Sequence, residues 1–220
     1  MSDKIEVYYF SPTGGTKKVS GIFVDAMEKE VIWHDLGSKK PMMEKPEGEM
    51  IVIATPVFGG RIPSVVREKI EKLSGTGKKA VTIAVYGNRA YEDALLEMND
   101  ILMKCGFTVI ASGAFVAQHS MAPEVGAGRP DGEDEKEIHK FAESVKNSTA
   151  TENVHVPGNR PYKPELNMPV TPISLSSCTK CGKCVTICPT NAISVADGAV
   201  ITDAEKCILC MACTHVCTEQ

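Results

Sequence analysis

Nine cysteines stand in this sequence of 220 residues, and eight of them fall in its last stretch, from Cys178 to Cys217. They form two runs, C-T-K-C-G-K-C-V-T-I-C-P from Cys178 to Pro189 and C-I-L-C-M-A-C-T-H-V-C from Cys207 to Cys217. Each run is C-x2-C-x2-C-x3-C, and gaps of two residues put three soft thiolates on one tight loop. The fourth cysteine, three residues on, begins a turn that points away from that loop. Zinc suits the pattern poorly, because structural zinc takes two separated pairs of ligands rather than a triplet plus one. Disulfides require an oxidising compartment, and the opening M-S-D-K-I-E-V has no signal-peptide character. Cysteines so close together would also have to pair across strained loops. The chemistry these residues fit is iron–sulfur ligation.

Such a group must be positioned by something, and the length admits one sizeable domain and one small one. A hydrophobic share of 43% suits a packed core. Apolar runs nowhere approach the roughly 20 residues of a membrane span. A net charge of −4 recommends neither nucleic acid nor an anionic membrane as partner. Reduced cysteines and the lack of an export signal place the chain in the cytoplasm, and oxygen-labile clusters suit an anaerobic host.

Ile5 to Phe10 reads as a buried strand that breaks at S-P-T-G-G-T, Ser11 to Thr16, before a helical pattern. Hydroxyls and free N–H groups at a helix start can hold an anion without a fixed charge. A plain strand-to-helix turn with capping Ser and Thr accounts for the same residues. The loop has neither the Lys-Ser/Thr ending of a P-loop nor G-x-G-x-x-G, so ATP and NAD are weakly supported. Further strands are predicted at Glu30–His34, Glu49–Thr55, Lys79–Val85 and Phe107–Ala117. Helices are predicted from the stripes Val66, Ile70 and Leu73; Tyr91, Leu95, Met98 and Leu102; and Ile138, Phe141 and Val145. The segment between the second and third strands is short and broken by Pro41 and Pro46, which predicts an irregular crossover. Five strands alternating with about four helices predict an α/β doubly wound parallel sheet. Ligands of such sheets bind outside the carboxyl ends of the strands. The breaks after the first, third and fourth strands lie at those ends, which favours the phosphate reading of Ser11–Thr16.

These residues carry a resemblance. S-P-T-G-G-T matches the S/T-x-T-G-x-T loop with which flavodoxins hold the FMN phosphate. T-P-V-F-G-G-R-I-P and V-Y-G-N-R-A-Y look like the two loops flanking the isoalloxazine ring. With the cysteine runs, the whole chain resembles fused flavodoxin–ferredoxin proteins of anaerobic bacteria and archaea. The resemblance implies a flavodoxin-like FMN domain over 1–150, a proline-rich linker over 151–177 and a small α+β ferredoxin-type domain over 178–220. It implies phosphate binding by Ser11, Thr13, Gly14, Gly15 and Thr16. Thr55, Pro56, Val57, Phe58 and Gly59 would line one side of the ring, and Tyr86, Gly87, Asn88 and Arg89 the other. FAD fits less well, since a phosphate enclosed by such a loop leaves no path for an adenylate. Resemblance to two-cluster ferredoxins implies crossed ligation: Cys178, Cys181, Cys184 and Cys217 hold one 4Fe–4S cluster, and Cys207, Cys210, Cys213 and Cys188 the other. One departure is Thr218, which stands where the first run has Pro189. Another is that no counterpart of the A-I-S-V strand at Ala192–Val195 follows Cys217 within the sequence.

The implied activity is electron transfer between FMN and two 4Fe–4S clusters, with redox proteins as partners. The alternative is an FMN-dependent reductase of a quinone, flavin or nitro compound. A redox sensor is a third class, without a basic patch to support it. Donor, acceptor and oligomeric state are written in no motif. Cys105 reads as a small buried apolar residue. His119 reads equally as a neighbour of the flavin or a solvated loop residue, and Arg61 as a charge for phosphate or reduced flavin or a surface residue. His215, inside the second run, reads as space-filling. The acidic D-G-E-D-E stretch reads as a helix N-terminus. Val154 to Ser177, with Pro157, Pro161, Pro164, Pro169 and Pro172, reads as a stiff, extended connector.

Overall fold

The computed structural model describes residues 4–166, 168, 170–196 and 198–219. Two compact units divide it, Met1–Leu166 and Asn167–Gln220.

In the first unit, strands β1 (Lys4–Tyr9), β2 (Glu30–Asp35), β3 (Met50–Pro56), β4 (Lys79–Tyr86) and β5 (Thr108–Val116) form one sheet. Its order is β2-β1-β3-β4-β5 and every neighbouring pair is parallel. The observed ends fall within two residues of the predicted ones. Between them run α1 (Gly15–Met27), α2 (Ser64–Ile70), α3 (Ala94–Lys104) and α4 (Gly132–Lys146). β3 and β4 sit centrally and are covered on both faces, which is why M-I-V-I-A-T and A-V-T-I-A-V are apolar almost without alternation. Val52, Val81 and Ile83 pack with Val19 and Phe23 of α1 and Ile138 and Ala142 of α4 on one face. On the other face Thr82 donates to Asn99 Oδ1 of α3 at 2.8 Å. Edge strand β2 is the least covered, with Ile32 and Trp33 exposed. The acidic stretch does begin α4. Asp131 caps it through a reciprocal box with Asp134, and Glu133, Asp134 and Glu135 occupy its first turn.

Residues 36–49 contain no helix, as the prolines predict. This crossover is held by Glu6, a carboxylate 1% exposed in the middle of β1. Glu6 Oε1 accepts the N–H groups of Glu47 (2.5 Å) and Gly48 (2.7 Å). Its Oε2 accepts Tyr8 Oη–H at 3.1 Å and lies 2.8 Å from His34 Nε2. Gly48 cannot be replaced cheaply, because a Cβ there would lie 2.7 Å from the Lys4 carbonyl oxygen. Burial works against ionisation of Glu6, but hydrogen bonds from Gly48, His34, Glu47 and Tyr8 hold its carboxyl below the usual range.

The second unit contains α5 (Lys183–Ile187), the antiparallel pair β6 (Ile193–Ala196) and β7 (Ala199–Thr202), and α6 (Ala212–Val216). Cys188, Ala192 and Ile193 form its small core, with Cys184, Cys207 and Cys213 packed against it. The proline-rich stretch is not a connector throughout. Residues 153–166 belong to the first unit, beginning with Val154 N–H donating to the Val109 carbonyl at 2.8 Å. Pro169 of that stretch lies outside the described residues.

Candidate iron–sulfur and flavin sites

The two cysteine runs fold alike, position for position. Lys180 and Gly182 take left-handed conformations (φ 56° and 77°) around Cys181, and Leu209 and Met211 do the same (53° and 62°) around Cys210. Each run then enters one short helix, α5 or α6, with its third cysteine inside and its fourth as the C-cap. Alternating hands of backbone make a concave nest of N–H groups suited to an anionic thiolate cluster. Met211, unlike Gly182, carries a Cβ in this conformation, a strain that only a demanding local geometry sustains.

A small pocket, partly open to solvent, is lined by Cys188 together with Cys207, Cys210 and Cys213. Cysteines of both runs therefore line one pocket, although among the described residues no three stand grouped closely enough to hold a metal ion as they are. Ile193, Leu209 and Met211 add apolar walls. Burial pushes the Cys210 thiol up to about 11 and raises Cys213 as well. Burial also opposes ionisation of Cys188, but hydrogen bonds from Thr190, Ala192 and Ile193 hold it below the ordinary thiol value. Ala192 N–H donates to its Sγ at 3.2 Å. These thiols become thiolates on meeting iron, so loading releases protons. In the other set Cys178 and Cys184 are half-buried, while Cys181 and Cys217 are exposed. Ser177 Oγ–H donates to the Glu219 carbonyl at 3.3 Å, which draws together the chain beside Cys178 and beside Cys217. The donor set fits two clusters of thiolate-bound iron and inorganic sulfide.

At the carboxyl end of the first unit's sheet, the loops after β1, β3 and β4 leave side by side. Phe10 N–H donates to the Ala54 carbonyl (3.0 Å), Val57 N–H to Val85 (2.9 Å) and Ala117 N–H to Tyr86 (3.0 Å). This is the switch point of the 2-1-3-4-5 order, where the chain departs in opposite directions from β1 and β3. Gly14 caps α1 in a left-handed conformation (φ 91°), provides no side-chain cap, and faces open space where a Cβ would be. Ser11 Oγ accepts Lys17 N–H at 2.9 Å. Thr16 is buried, Thr13 is half-buried, and no acidic residue stands in the first turn. Open N–H groups, hydroxyls and the absence of a nearby carboxylate in that turn fit a phosphate.

The two expected ring loops are neighbours. Thr55 is buried at the end of β3, with Pro56, Val57, Phe58 and Gly59 half-buried after it. Phe58 and Arg61 exchange backbone bonds, with Gly59 and Gly60 left-handed between them. Tyr86 meets Tyr91 edge-on at 5.7 Å, Gly87 lies under the His119 ring, Asn88 is left-handed, and Arg89 reaches Glu92 at 2.9 Å. His119 is no free loop residue, since its Nδ1 accepts Met121 and Ala122 N–H. Arg61 is neither a surface residue nor a free charge. Its Nε and Nη2 donate to the buried Glu97 at 2.8 and 2.6 Å, and that pairing, despite some burial, holds the guanidinium above its usual value. Cys105 is half-buried, its Sγ 3.5 Å from the Ile70 carbonyl. Sequence reasoning missed Glu97, Asp93 and Asp100, whose partners lie far away along the chain.

Two family models described as 4Fe-4S binding domain match residues 171–194 and 204–220. A polyferredoxin-like subunit of an aliphatic sulfonate oxidoreductase from Pyrococcus furiosus is 45% identical over 58 residues, 24% of this chain and 30% of that one. The match thus spans under a third of that relative's length. The first unit superposes on oxidised flavodoxin 1 from Bacillus cereus with TM-score 0.50 and 18% identity, over 66% of this chain and 99% of that one. A short-chain flavodoxin associated with a bacterial microcompartment gives 0.51 and 18%, over 66% and 97%. The chain fuses a flavodoxin-like fold to a pair of 4Fe–4S binding motifs. In this fusion, no helix among the described residues is long and apolar enough to cross a membrane.

Proposed function

We propose that this fusion is an electron-transfer protein holding one FMN and two 4Fe–4S clusters, exchanging electrons with other redox proteins. The observation that carries the reading is the pocket lined by Cys188 of the first run and Cys207, Cys210 and Cys213 of the second. When bound, FMN takes up two electrons and returns them singly, while each cluster passes one at a time. The chain's own part is position and electrostatics. Ser11, Thr13, Gly14, Gly15 and Thr16 would hold the phosphate on the α1 N-terminus. Residues 55–59 and 86–89 would flank the ring. Cys178, Cys181, Cys184 and Cys217 would hold the exposed cluster, and the nest N–H groups and apolar walls would tune the buried one. Residues 1–166 would form the flavin domain, and the runs from Cys178 onward the iron–sulfur domain.

Anaerobic purification tests this. About eight iron and eight sulfide per chain are expected, together with FMN released on denaturation and identified by mass. Finding zinc without sulfide, or no flavin after reconstitution, overturns the reading. Reduction by a reduced ferredoxin or protein reductase supports a carrier, whereas turnover of a quinone with NAD(P)H alone marks a substrate reductase.

A further inference from the structure

Residues 158–166 read as connector in the sequence, yet they are bonded to Arg61 in the loop after β3 and to Glu92 and Asp93, which end the loop after β4. The hub is Asp93, 1% exposed. Its Oδ1 accepts Asn159 N–H at 2.8 Å and Nδ2–H at 3.2 Å, and its Oδ2 accepts Lys163 N–H at 2.7 Å. Its own N–H donates to the Gly60 carbonyl at 3.0 Å. Lys163 then closes the circuit. Its carbonyl accepts Arg61 Nη1–H at 2.5 Å, and its ammonium pairs with Glu92 at 2.6 Å. Arg61 lies over the Tyr162 ring, 4.8 Å from its centre, while its Nη2 donates to Glu97. Asp100 anchors the strap from α3, accepting Arg160 Nε–H at 2.8 Å and Tyr162 Oη–H at 2.5 Å. At the far end, a Cβ on Gly59 would lie 2.5 Å from Leu166 Cβ, so the strap is seated on the loop itself.

The second loop holds two non-glycine residues left-handed, Asn88 and Glu92, with φ of 63° and 43°. Non-glycine residues persist there only when their surroundings over-determine them. The strap bears on Gly59 and Arg61 on one side and on Glu92 and Asp93 on the other.

We propose that residues 158–166 are a positioning element of the flavin site, holding the Phe58–Ile62 and Tyr86–Asp93 loops in the geometry that receives the ring. This rests on the reading that FMN binds between those loops.

The test uses the full chain carrying Asp93→Asn, Asp100→Ala or Arg160→Ala. Asp93 makes no side-chain bond capping α3, so changing it leaves that helix start intact. Arg160 is mostly exposed, so its variant carries little folding risk. FMN dissociation constants and flavin midpoint potentials are measured, along with amide exchange of Gly60 to Ile62 in flavin-free protein. Losing one or two of these bonds should weaken FMN binding about tenfold, shift the potentials, and speed exchange in the loop while β3 and β4 stay protected. A wild-type chain that binds no FMN overturns both this proposal and the reading beneath it. A wild type that binds, with variants unchanged in affinity, potential and loop exchange, overturns the strap alone, as does a lowered melting temperature without those changes.

Discussion

Single residues with long-range partners do much of the shaping here. Glu6 is the clearest case, because four donors from β1, β2 and the crossover converge on one buried carboxylate. Replacing it by Gln keeps an oxygen for the two backbone N–H groups but removes the charge and turns an NH2 donor toward Tyr8 and His34, which had Oε2 as their acceptor. Glu6→Gln should cost roughly 2–3 kcal/mol of unfolding free energy, by the loss of charge-assisted bonds. The pH dependence follows from the lowered carboxyl pKa. A group depressed in the folded state stabilises above its unfolded pKa, near 4.5. That contribution is lost as pH falls through the folded value. Denaturation curves of wild type and Glu6→Gln should thus differ by a constant amount at neutral pH and converge under acid. A difference that persists undiminished at low pH would show that shape, not charge, is what Glu6 provides.

At the scale of elements, α1 and the loop before it are the proposed anion site. Nothing in the first turn of α1 is acidic, and Gly14 leaves the helix start without a side-chain cap. Thr13→Glu puts a negative charge where phosphate is expected. Loss of one charge-assisted bond costs about 1.5–3 kcal/mol, and an added like charge costs more. FMN affinity should fall at least about tenfold on that basis, with iron content and sheet stability unchanged. Equal titration curves for variant and wild type would put the phosphate elsewhere. The paired runs around α5 and α6 make the same point about elements: matching spacing produced matching backbone, down to the two left-handed residues in each.

For the molecule as a whole, two units of very different size imply two kinds of stability. The first has a layered core on both faces of its sheet, whereas among the described residues the second buries little beyond Cys188, Ala192, Ile193, Cys210 and Ala212. So small a core needs a metal staple. Stripping iron with a chelator under reducing conditions should unfold residues 167–220 and leave the first unit's circular dichroism and thermal transition in place. The two clusters should also differ. One set has Cys188 and Cys210 buried, while the other has Cys181 and Cys217 exposed. Oxidant reaches the exposed set more readily, so the Cys178, Cys181, Cys184 and Cys217 cluster should be lost first during graded exposure to air. Paramagnetic resonance of the reduced protein, with signals assigned by Cys217→Ala and Cys188→Ala, follows each decay. Equal rates, or earlier loss of the buried cluster, would show that exposure does not limit survival.

What the sequence determined by itself is whatever depends on local spacing. Eight thiolates at fixed intervals dictate iron–sulfur chemistry because the loop geometry lies within each run. Apolar strands alternating with helical stripes dictate a parallel sheet, since both faces must be covered, and the polar breaks mark the carboxyl ends of its strands. The prolines at 41 and 46 likewise made the irregular crossover legible, but not Glu6, whose partners at 47 and 48 are distant in the chain. Only the tertiary structure decided where buried charges pair. Arg61 looked like a residue for phosphate or solvent, and the fold gave it to Glu97, thirty-six positions away. Residues 158–166 looked like connector because prolines suppress periodicity, and a segment held by backbone groups and a few unevenly spaced polar side chains has no periodic pattern to read. Its place was set by carboxylates on α3 and at its N-cap, since a buried carboxylate must find donors wherever the chain can bring them.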